Sequence, residues 1–241
     1  MCLAFLPTQG WAATAHVTNN VTRDNTGTNV GTVAVTLTGV GSGNAIACGV
    51  AWANQSITLT SVSDGTTNFT ISNNNTNAGA LSRMAMARLP NSSGGSVTLT
   101  ATYSGSFTES KIIACASASG TDAADLLDAA TVVDIGAVGA GTDSIAQAVT
   151  ITTSGTYIFA MILDYSQNGA VSAGTNYTTA DQFSNNTGAS IYRANYAGTG
   201  STNVNATTGA FDTHAIGILV FKPAAGAAAS APSLMLMGVG R

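Results

Sequence analysis

The side chains that most often perform acid–base or nucleophilic chemistry are scarce in this chain. Its only histidines are His16 and His214, and Glu109 is its only glutamate. A Ser-His-Asp arrangement can be drawn with His214 and Asp212, but no nucleophile elbow marks a serine as the third member. Glycoside hydrolysis requires two carboxylates facing one cleft, and the aspartates here stand in turn-like contexts. We therefore expect no catalytic residues and no enzymatic activity, and we interpret His214 as a histidine that opens the last strand.

Aspartates gather near the middle of the chain. Residues 119–145 contain five of its 11 acidic residues, and Asp122, Asp125 and Asp128 are spaced three apart. Calcium binds several carboxylate and carbonyl oxygens, but this spacing is not that of an EF-hand loop. No Cys-x-x-Cys pair or Cys/His cluster supports a zinc site. We predict a solvated acidic crossover without metal or cofactor, with calcium binding as the alternative.

Two of the three cysteines lie in short apolar runs that are typical of strands. Cys48 follows Ile-Ala, and Cys115 follows Ile-Ile-Ala. The two could form one disulfide, but we favour the interpretation that both are small buried apolar side chains. Cys2 is left over in either case, so the cysteines do not identify the compartment.

Aromatic and amide side chains cluster between residues 176 and 196. In sandwich lectins, exposed aromatic rings stack on sugar rings while Asn, Asp and Arg side chains bind the hydroxyl groups. The residues that could form such a carbohydrate-binding surface here are Tyr177, Tyr192, Arg193 and Tyr196. The competing interpretation is that these tyrosines are ordinary strand residues that pack across a sheet.

The chain contains unusually few charged residues. Charged residues make up 7% of the 241 residues, against about 25% in an ordinary globular domain. The seven Lys and Arg residues are spread along the chain and the formal net charge is −4. Such a chain cannot form the basic patch that neutralises phosphates, so nucleic-acid binding is excluded. No apolar run reaches the roughly 18 residues of a membrane span.

Apolar and polar residues alternate with period two over most of the chain, which predicts strands separated by turns of Gly, Asn, Ser and Asp. The pattern also repeats, since residues 33–48 resemble 147–160, and residues 82–113 resemble 190–218. We predict an all-β fold: an antiparallel, jelly-roll-like β-sandwich of two internally repeated halves with roughly six strands each. It would be a single sandwich or a tightly joined pair. A short helical turn is predicted within residues 121–130.

This pattern divides the chain into five segments. Residues 1–27 form an N-terminal segment, which is either a signal remnant or an assembly arm. The repeats and the segments around them have these predicted bounds: first β repeat 28–118, acidic crossover 119–145, second β repeat 146–222, and Ala/Gly linker with an apolar tail 223–241.

Both ends of the chain are apolar. The start looks like the later part of a secretion signal without its positively charged beginning, so export is slightly favoured. The tail follows a low-complexity linker, and an exposed apolar segment of this kind reduces solubility unless it docks. A frayed tail and a sorting-signal remnant are the alternatives. The residues predicted to contact neighbouring subunits are Leu3, Phe5, Leu6, Trp11, Leu234, Met235, Leu236, Met237 and Val239.

Residues 112–122, together with the following Asp128, resemble the middle of a widespread β-sandwich family of unknown activity. Its members occur in secreted bacterial surface proteins and in phage virion proteins. The last strand, residues 215–222, ends in Phe-Lys, as the aromatic-Lys ending of that family does. The resemblance spans residues 33–222 and is broken at residues 124–126, where the family has Pro-Phe. It implies a jelly-roll-like sandwich with a surface or assembly role, and it implies no catalytic residues.

The leading functional hypothesis is a non-enzymatic structural subunit that acts outside the cytoplasm, in a surface filament or layer or in a virion shell or appendage. Its partners would be copies of itself or another shell or appendage protein, bound through the apolar termini. A surface of Thr, Ser and Asn with few charges suits such packing, because the electrostatic repulsion between copies is weak. The second hypothesis is a carbohydrate-binding adhesin.

Overall fold

The computed structural model describes residues 12–78, 82–137, 143–164, 170–183, 188–208 and 213–225. Within these ranges the chain forms sixteen β-strands and no helix. The first half contains β1 (Ala15–Asp24), β2 (Val30–Val40), β3 (Ala45–Trp52), β4 (Leu59–Ser63), β5 (Thr70–Ala78), β6 (Ser82–Leu89), β7 (Gly95–Phe107) and β8 (Lys111–Ser119). The second half contains β9 (Leu127–Ala137), β10 (Asp143–Ile151), β11 (Thr156–Asp164), β12 (Ser172–Ala173), β13 (Thr178–Gln182), β14 (Gly188–Tyr196), β15 (Gly200–Thr208) and β16 (Thr213–Phe221).

The two halves have the same strand order. The first half consists of a five-stranded sheet, β1-β8-β3-β6-β5, and a three-stranded sheet, β2-β7-β4. The second half has the orders β9-β16-β11-β14-β13 and β10-β15-β12, so each strand number is raised by eight. This is the order of an eight-stranded jelly roll in which the fifth strand has joined the larger sheet. The prediction of an all-β, antiparallel, jelly-roll-like sandwich built from two repeated halves is confirmed.

Each half has its own core, built by alternation along the strands. In β2 and β7, Val and Leu side chains face inward, while Thr side chains face solvent. The first core lies between the two sheets of the first half and includes Leu37, Trp52 and Leu99. The second core occupies the corresponding space and includes Ile158 and Val204. Period-two patterning of this kind places one face of each small sheet in water.

A third apolar cluster joins the halves, because the two five-stranded sheets pack face to face. Every residue of β3 and β11 is buried, and so is nearly all of β8, since these strands have a core on one side and the other half on the opposite side. The same packing explains why their sequences are continuous apolar runs rather than alternating ones. The molecule is therefore a tightly joined pair of sandwiches, one of the two arrangements that the sequence left open.

The facing sheets are related by an approximate two-fold axis. β1 contacts β13 while its counterpart β9 contacts β5, and β3 contacts its own counterpart β11. At this centre Gly49 lies against Met161: a Cβ atom at Gly49 would be 2.7 Å from the Met161 Cβ and would also collide with its Sδ. Likewise a Cβ at Gly217 would lie 2.8 Å from Met84 Sδ. Glycine permits the close approach of the two sheets at these points.

Cys48 and Cys115 form a disulfide, so the favoured interpretation of two unpaired cysteines was wrong. The two residues are directly opposite each other on the neighbouring strands β3 and β8, with Cα atoms 4.1 Å apart. Both side chains are also buried in the first core, as the sequence predicted. The pairing depends on the register of strands that are 67 residues apart in sequence.

The predicted helical turn within residues 121–130 does not form. Asp122 Oδ1 instead accepts hydrogen bonds from the amides of Ala124 (2.8 Å) and Asp125 (3.1 Å), a turn that leads directly into β9. Because β9 lies in the predicted crossover and β1 lies in the predicted N-terminal segment, each half has eight strands rather than six. The five-segment division itself stays a prediction.

Candidate functional site

The two ends of the described chain lie side by side. The Ala12 amide donates a hydrogen bond to the Ala224 carbonyl oxygen (3.1 Å), and the Ala224 amide donates to the Gly120 carbonyl oxygen (2.8 Å). Thr121 and Pro223 form an antiparallel bridge between the same segments. We call Ala12, Gly120, Thr121, Pro223 and Ala224 the terminal junction. It brings together the start of the first half, the connection between the halves and the end of the second half.

Gly120 is the residue that lets the chain turn at this junction. Its φ is +70°, a conformation that residues with a side chain rarely adopt, and a Cβ there would collide with the Ala13 carbonyl group. After the turn, the Asp122 amide donates to the Lys222 carbonyl oxygen (2.9 Å), and the Lys222 amide donates to the Leu126 carbonyl oxygen (2.8 Å). These bonds extend the junction beyond the last strand.

All nine residues predicted to be assembly contacts lie outside the described residues: Leu3, Phe5, Leu6, Trp11, Leu234, Met235, Leu236, Met237 and Val239. They belong to residues 1–11 and 226–241. These two segments continue the chain from Ala12 and from Ala225, so both are attached at the terminal junction.

The three regularly spaced aspartates do not converge on one point. Asp122 accepts the turn hydrogen bonds, Asp125 pairs with Lys222 (Oδ2 to Nζ, 2.6 Å), and Asp128 Oδ2 accepts from the Thr152 amide (2.8 Å). The hydrogen bond that Lys222 donates to Asp125 raises the pKa of Lys222. Among the described residues, no group of three His, Cys, Asp or Glu side chains is placed to bind a metal ion. Each aspartate instead shapes the acidic crossover.

Of the four residues predicted to bind carbohydrate, Tyr192, Arg193 and Tyr196 belong to β14, and Tyr177 directly precedes β13. The Arg193 guanidinium lies over the Tyr196 ring at 4.5 Å and near the Tyr177 ring at 5.9 Å. Tyr177 is mostly buried, and burial raises its pKa. Tyr192 points to the opposite face, where it packs against the cluster between the halves. The structure therefore groups Tyr177, Arg193 and Tyr196 and separates Tyr192 from them.

A bulge near the end of β14 brings Tyr196 to the same side as Arg193. Strict alternation would place residues 193 and 196 on opposite faces, because their numbers differ by three. Asn195 has a φ of +50°, and the pairing of β14 with β11 shifts register at this point. The extra residue re-aims the Tyr196 side chain, as β-bulges do.

His16 occupies a cluster that the sequence did not reveal. Its Nδ1 lies 2.9 Å from the Tyr157 hydroxyl oxygen, and its ring stacks on the Tyr192 ring with centroids 3.7 Å apart. Tyr157 is 141 residues further along the chain, so no local signal links the two. His214 lies in β16, where its backbone is opposite Asp164 of β11 and Gly136 of β9.

Lys111 is fully buried at the start of β8, yet its charge is well compensated. Its Nζ donates to the Phe107 carbonyl oxygen (2.7 Å) and lies 3.6 Å from Asp24 Oδ2. It also lies 4.2 Å from the centroid of the Phe107 ring. Hydrogen bonds from Thr26 lower the pKa of Asp24, which keeps this carboxylate charged. The group connects β1 to β8 and is a structural ion pair.

Comparison with known proteins identifies no family. No protein-family model matches the chain, and no curated protein matches it. A solved structure named "Red Clover Necrotic Mosaic Virus" is similar at 13% sequence identity and a TM-score of 0.25, covering 91% of this chain and 82% of that chain. A likeness at that level supports no conclusion, so the fold assignment rests on the strand order. Within the described residues, no helix is long and apolar enough to cross a membrane.

Proposed function

We propose that the protein is a non-enzymatic structural subunit of an extracellular or virion assembly, and that copies associate through residues 1–11 and 226–241. The observation that carries this proposal is the terminal junction. The hydrogen bond between Ala12 and Ala224 places the two attachment points next to each other. Two apolar segments that start at one place can act as a single contact element on a neighbouring subunit.

The composition of these segments supports docking on another chain. The first contains Leu3, Phe5, Leu6 and Trp11, and the second ends in a run of Leu, Met and Val after an Ala/Gly linker. Apolar surface is stabilised when it leaves water, and a neighbouring copy offers the edge strands of its sheets for such a segment. With 7% charged residues, little electrostatic repulsion opposes the approach of copies.

The disulfide supports a location outside the cytoplasm. Disulfides persist in oxidising compartments and on virion or cell surfaces, and they are rare where thiols are kept reduced. Cys48 and Cys115 are fully buried between two sheets, so their bond has a structural place in the first core rather than an exposed catalytic one.

Deletion of residues 232–241 tests the proposal. We expect the shortened protein to keep its strand content by circular dichroism and to remain monomeric by light scattering and negative-stain microscopy. The intact chain should form larger particles under the same conditions. A matched control replaces Ala227, Ala228 and Ala229 by serine, which keeps the linker length and should leave assembly unchanged. Normal assembly of the deletion variant would contradict the proposal, and so would an intact chain that stays monomeric.

A carbohydrate-binding adhesin is the second candidate, favoured by the half-exposed Arg193 and Tyr196 side chains that lie together on one face. A glycan array with the full chain tests it. Tyr196→Ala should abolish binding, because the ring offers the stacking surface, whereas Tyr196→Phe should retain most of it. An array on which the folded protein binds no glycan would remove this candidate.

A further inference from the structure

A chain of hydrogen bonds crosses from the first half to the second through His16. Asn19 Nδ2 donates to Asp181 Oδ2 (2.8 Å) and to the Ala180 carbonyl oxygen (3.1 Å). Asn19 Oδ1 lies 2.8 Å from His16 Nε2, and His16 Nδ1 lies 2.9 Å from the Tyr157 hydroxyl oxygen. His16 and Asn19 belong to β1, whereas the other partners belong to β13 and β11. The cluster therefore connects β1 to the opposite sandwich.

The direction of each hydrogen bond follows from the Asp181 carboxylate. An ionised carboxylate only accepts, so Asn19 turns its amide nitrogen toward Asp181 and its oxygen toward His16. His16 Nε2 must then donate its proton to Asn19 Oδ1. In a neutral imidazole this leaves Nδ1 to accept from the Tyr157 hydroxyl group. Every bond of the cluster is satisfied when His16 is neutral.

The surroundings of His16 favour this neutral form. Burial lowers the pKa of His16, although the Asn19 hydrogen bond and the charge of Asp181 oppose the shift. Burial raises the pKa of Asp181, opposed by Asn19 and by His16. The titratable groups that face His16 are Asp181 on β13, Tyr157 on β11 and Tyr192 on β14.

The chain just before β1 contacts the second half at one more point. Thr14 Oγ1 donates to the Gly155 carbonyl oxygen (2.9 Å) and accepts from the Asn195 amide (2.9 Å). Thr14 is two residues from Ala12, where residues 1–11 join the described structure. His16, Asn19 and Thr14 together hold the start of β1 against β11, β13 and β14.

We propose that the His16 cluster is an acid-sensitive latch: protonation of His16 detaches residues 12–19 from the second half. An imidazolium ring carries a proton on Nδ1 and cannot accept from the Tyr157 hydroxyl group, which is fully buried. The Tyr157 hydroxyl group then loses its hydrogen-bond acceptor, and a positive charge enters the contact between the halves. The latch controls the attachment point of residues 1–11, and it stands whether or not the proposed assembly function does.

The sign of the pH dependence follows from the two pKa directions. The pKa of His16 lies below its ordinary 6.5 in the latched state, so the detached state binds the proton more tightly. The stability of the latch is fully present above pH 6.5 and is lost as the pH falls below it. Asp181 acts in the opposite sense, because its raised pKa adds stability as the pH falls through that value. The loss from His16 begins near pH 6.5.

Two measurements on the full chain test the latch. Histidine ring NMR gives the two titration midpoints, and the assignment comes from His16→Gln and His214→Gln. Hydrogen exchange of the Ala12 and Asn195 amides, which bond across the halves to Ala224 and to Thr14, gives their protection between pH 7.5 and 5 after correction for intrinsic rates. For each pH unit by which the His16 midpoint lies below 6.5, the protection of these two amides should fall by up to about tenfold on acidification. Protection of β16 should not change.

Three variants separate the latch from general acid sensitivity. His16→Gln should remove the pH-dependent step, whereas the matched control His214→Gln should keep it. Asp181→Asn removes a charge that raises the pKa of His16, so the His16 midpoint should move to lower pH. The latch is refuted if protection of the Ala12 and Asn195 amides is constant over this range, or if the step survives His16→Gln. An unchanged midpoint in Asp181→Asn refutes it even if His16→Gln fails to fold.

Discussion

The two halves share one strand order but meet each other with opposite kinds of surface. The first half contributes mainly small side chains to the contact: Ala45, Ala47, Ala51, Ala114, Ala116 and Ala118. The second contributes large ones: Tyr157, Phe159, Leu163, Phe183, Leu219 and Phe221. A symmetric pair of sheets would contribute the same side chains from each half. The repeats have instead become complementary, so the same topology is specified by different packing on each side.

The cores of the two halves differ at the equivalent strand pair. In the first half, Cys48 on β3 lies opposite Cys115 on β8 and bonds to it. In the second half, the corresponding pair on β11 and β16 is Ala160 opposite Ile218. One half has a covalent link where the other has an apolar contact of similar position. The jelly-roll strand order therefore does not require a disulfide at this position. We expect the stability of the first half to depend on the disulfide bond itself more than on the packing of the two side chains.

The largest expected effect comes from the large side chains of the contact between the halves. Phe159 is fully buried there, and Ala47 stands at the equivalent position of the first half. Phe159→Ala should lower the free energy of unfolding by about 3–5 kcal/mol, because it removes apolar contact and leaves a cavity. Ala47→Gly, the matched change, should cost only about 0.5–1 kcal/mol. Urea unfolding followed by circular dichroism measures both, and equal losses would contradict the small-against-large description.

The second prediction concerns the disulfide. Replacing Cys48 and Cys115 together by alanine should lower the free energy of unfolding by about 2–4 kcal/mol, because the unfolded chain regains the freedom of a long loop. Thiol titration of the native protein should find one free thiol, from Cys2, and three after unfolding and reduction. Cys2→Ala is the control and should leave stability unchanged. Three free thiols in protein purified without reductant would show that the pair is not bonded.

The third prediction tests the close approach of the halves at their two-fold axis. Gly49→Ala should lower the free energy of unfolding by about 1–3 kcal/mol, because the new methyl group collides with the Met161 side chain. Met161→Ala removes the colliding Sδ and Cγ atoms but keeps the Cβ atom, so it should recover part of that loss when the two changes are combined. The double-mutant cycle should therefore show a favourable coupling of at least about 0.5 kcal/mol. Additive losses would mean that the two sheets do not meet at these residues.

The sequence predicted the features that depend on local patterns. Alternation identified the strands of the small sheets, and the repeat of residues 33–48 in 147–160 matches β2–β3 and β10–β11. The polar composition of β1, with Asn or Thr at four of its ten positions, hid its membership of the first large sheet. Residues 121–130 produced a helix-like signal, but the Asp122 side chain instead forms a turn before a strand. A sequence signal of this kind predicts that the chain turns, but not whether a helix or a strand follows.

The features that the sequence did not predict depend on contacts between distant residues. The disulfide requires the register of β3 and β8, and the His16 cluster requires the second sandwich to lie beside β1. The grouping of Tyr196 with Arg193 requires a bulge at Asn195. The terminal junction requires the end of β16 to meet the beginning of β1. None of these distances in space is encoded by periodicity, which describes one strand at a time.

The smallest expected effect on stability comes from comparing the two lysines, one in each half. Lys222 approaches Asp125 at 2.6 Å, whereas Lys111 is 3.6 Å from Asp24, yet the longer ion pair should matter more. The Asp125 side chain is 72% exposed, and water and salt screen a pair of that kind. Lys222→Gln should therefore change the free energy of unfolding by less than about 0.5 kcal/mol, and less again in high salt. Lys111→Gln should cost clearly more, because it leaves the carbonyl oxygens of Phe107 and Glu109 without their buried donor. Equal losses for the two variants in urea unfolding would show that burial does not distinguish these lysines.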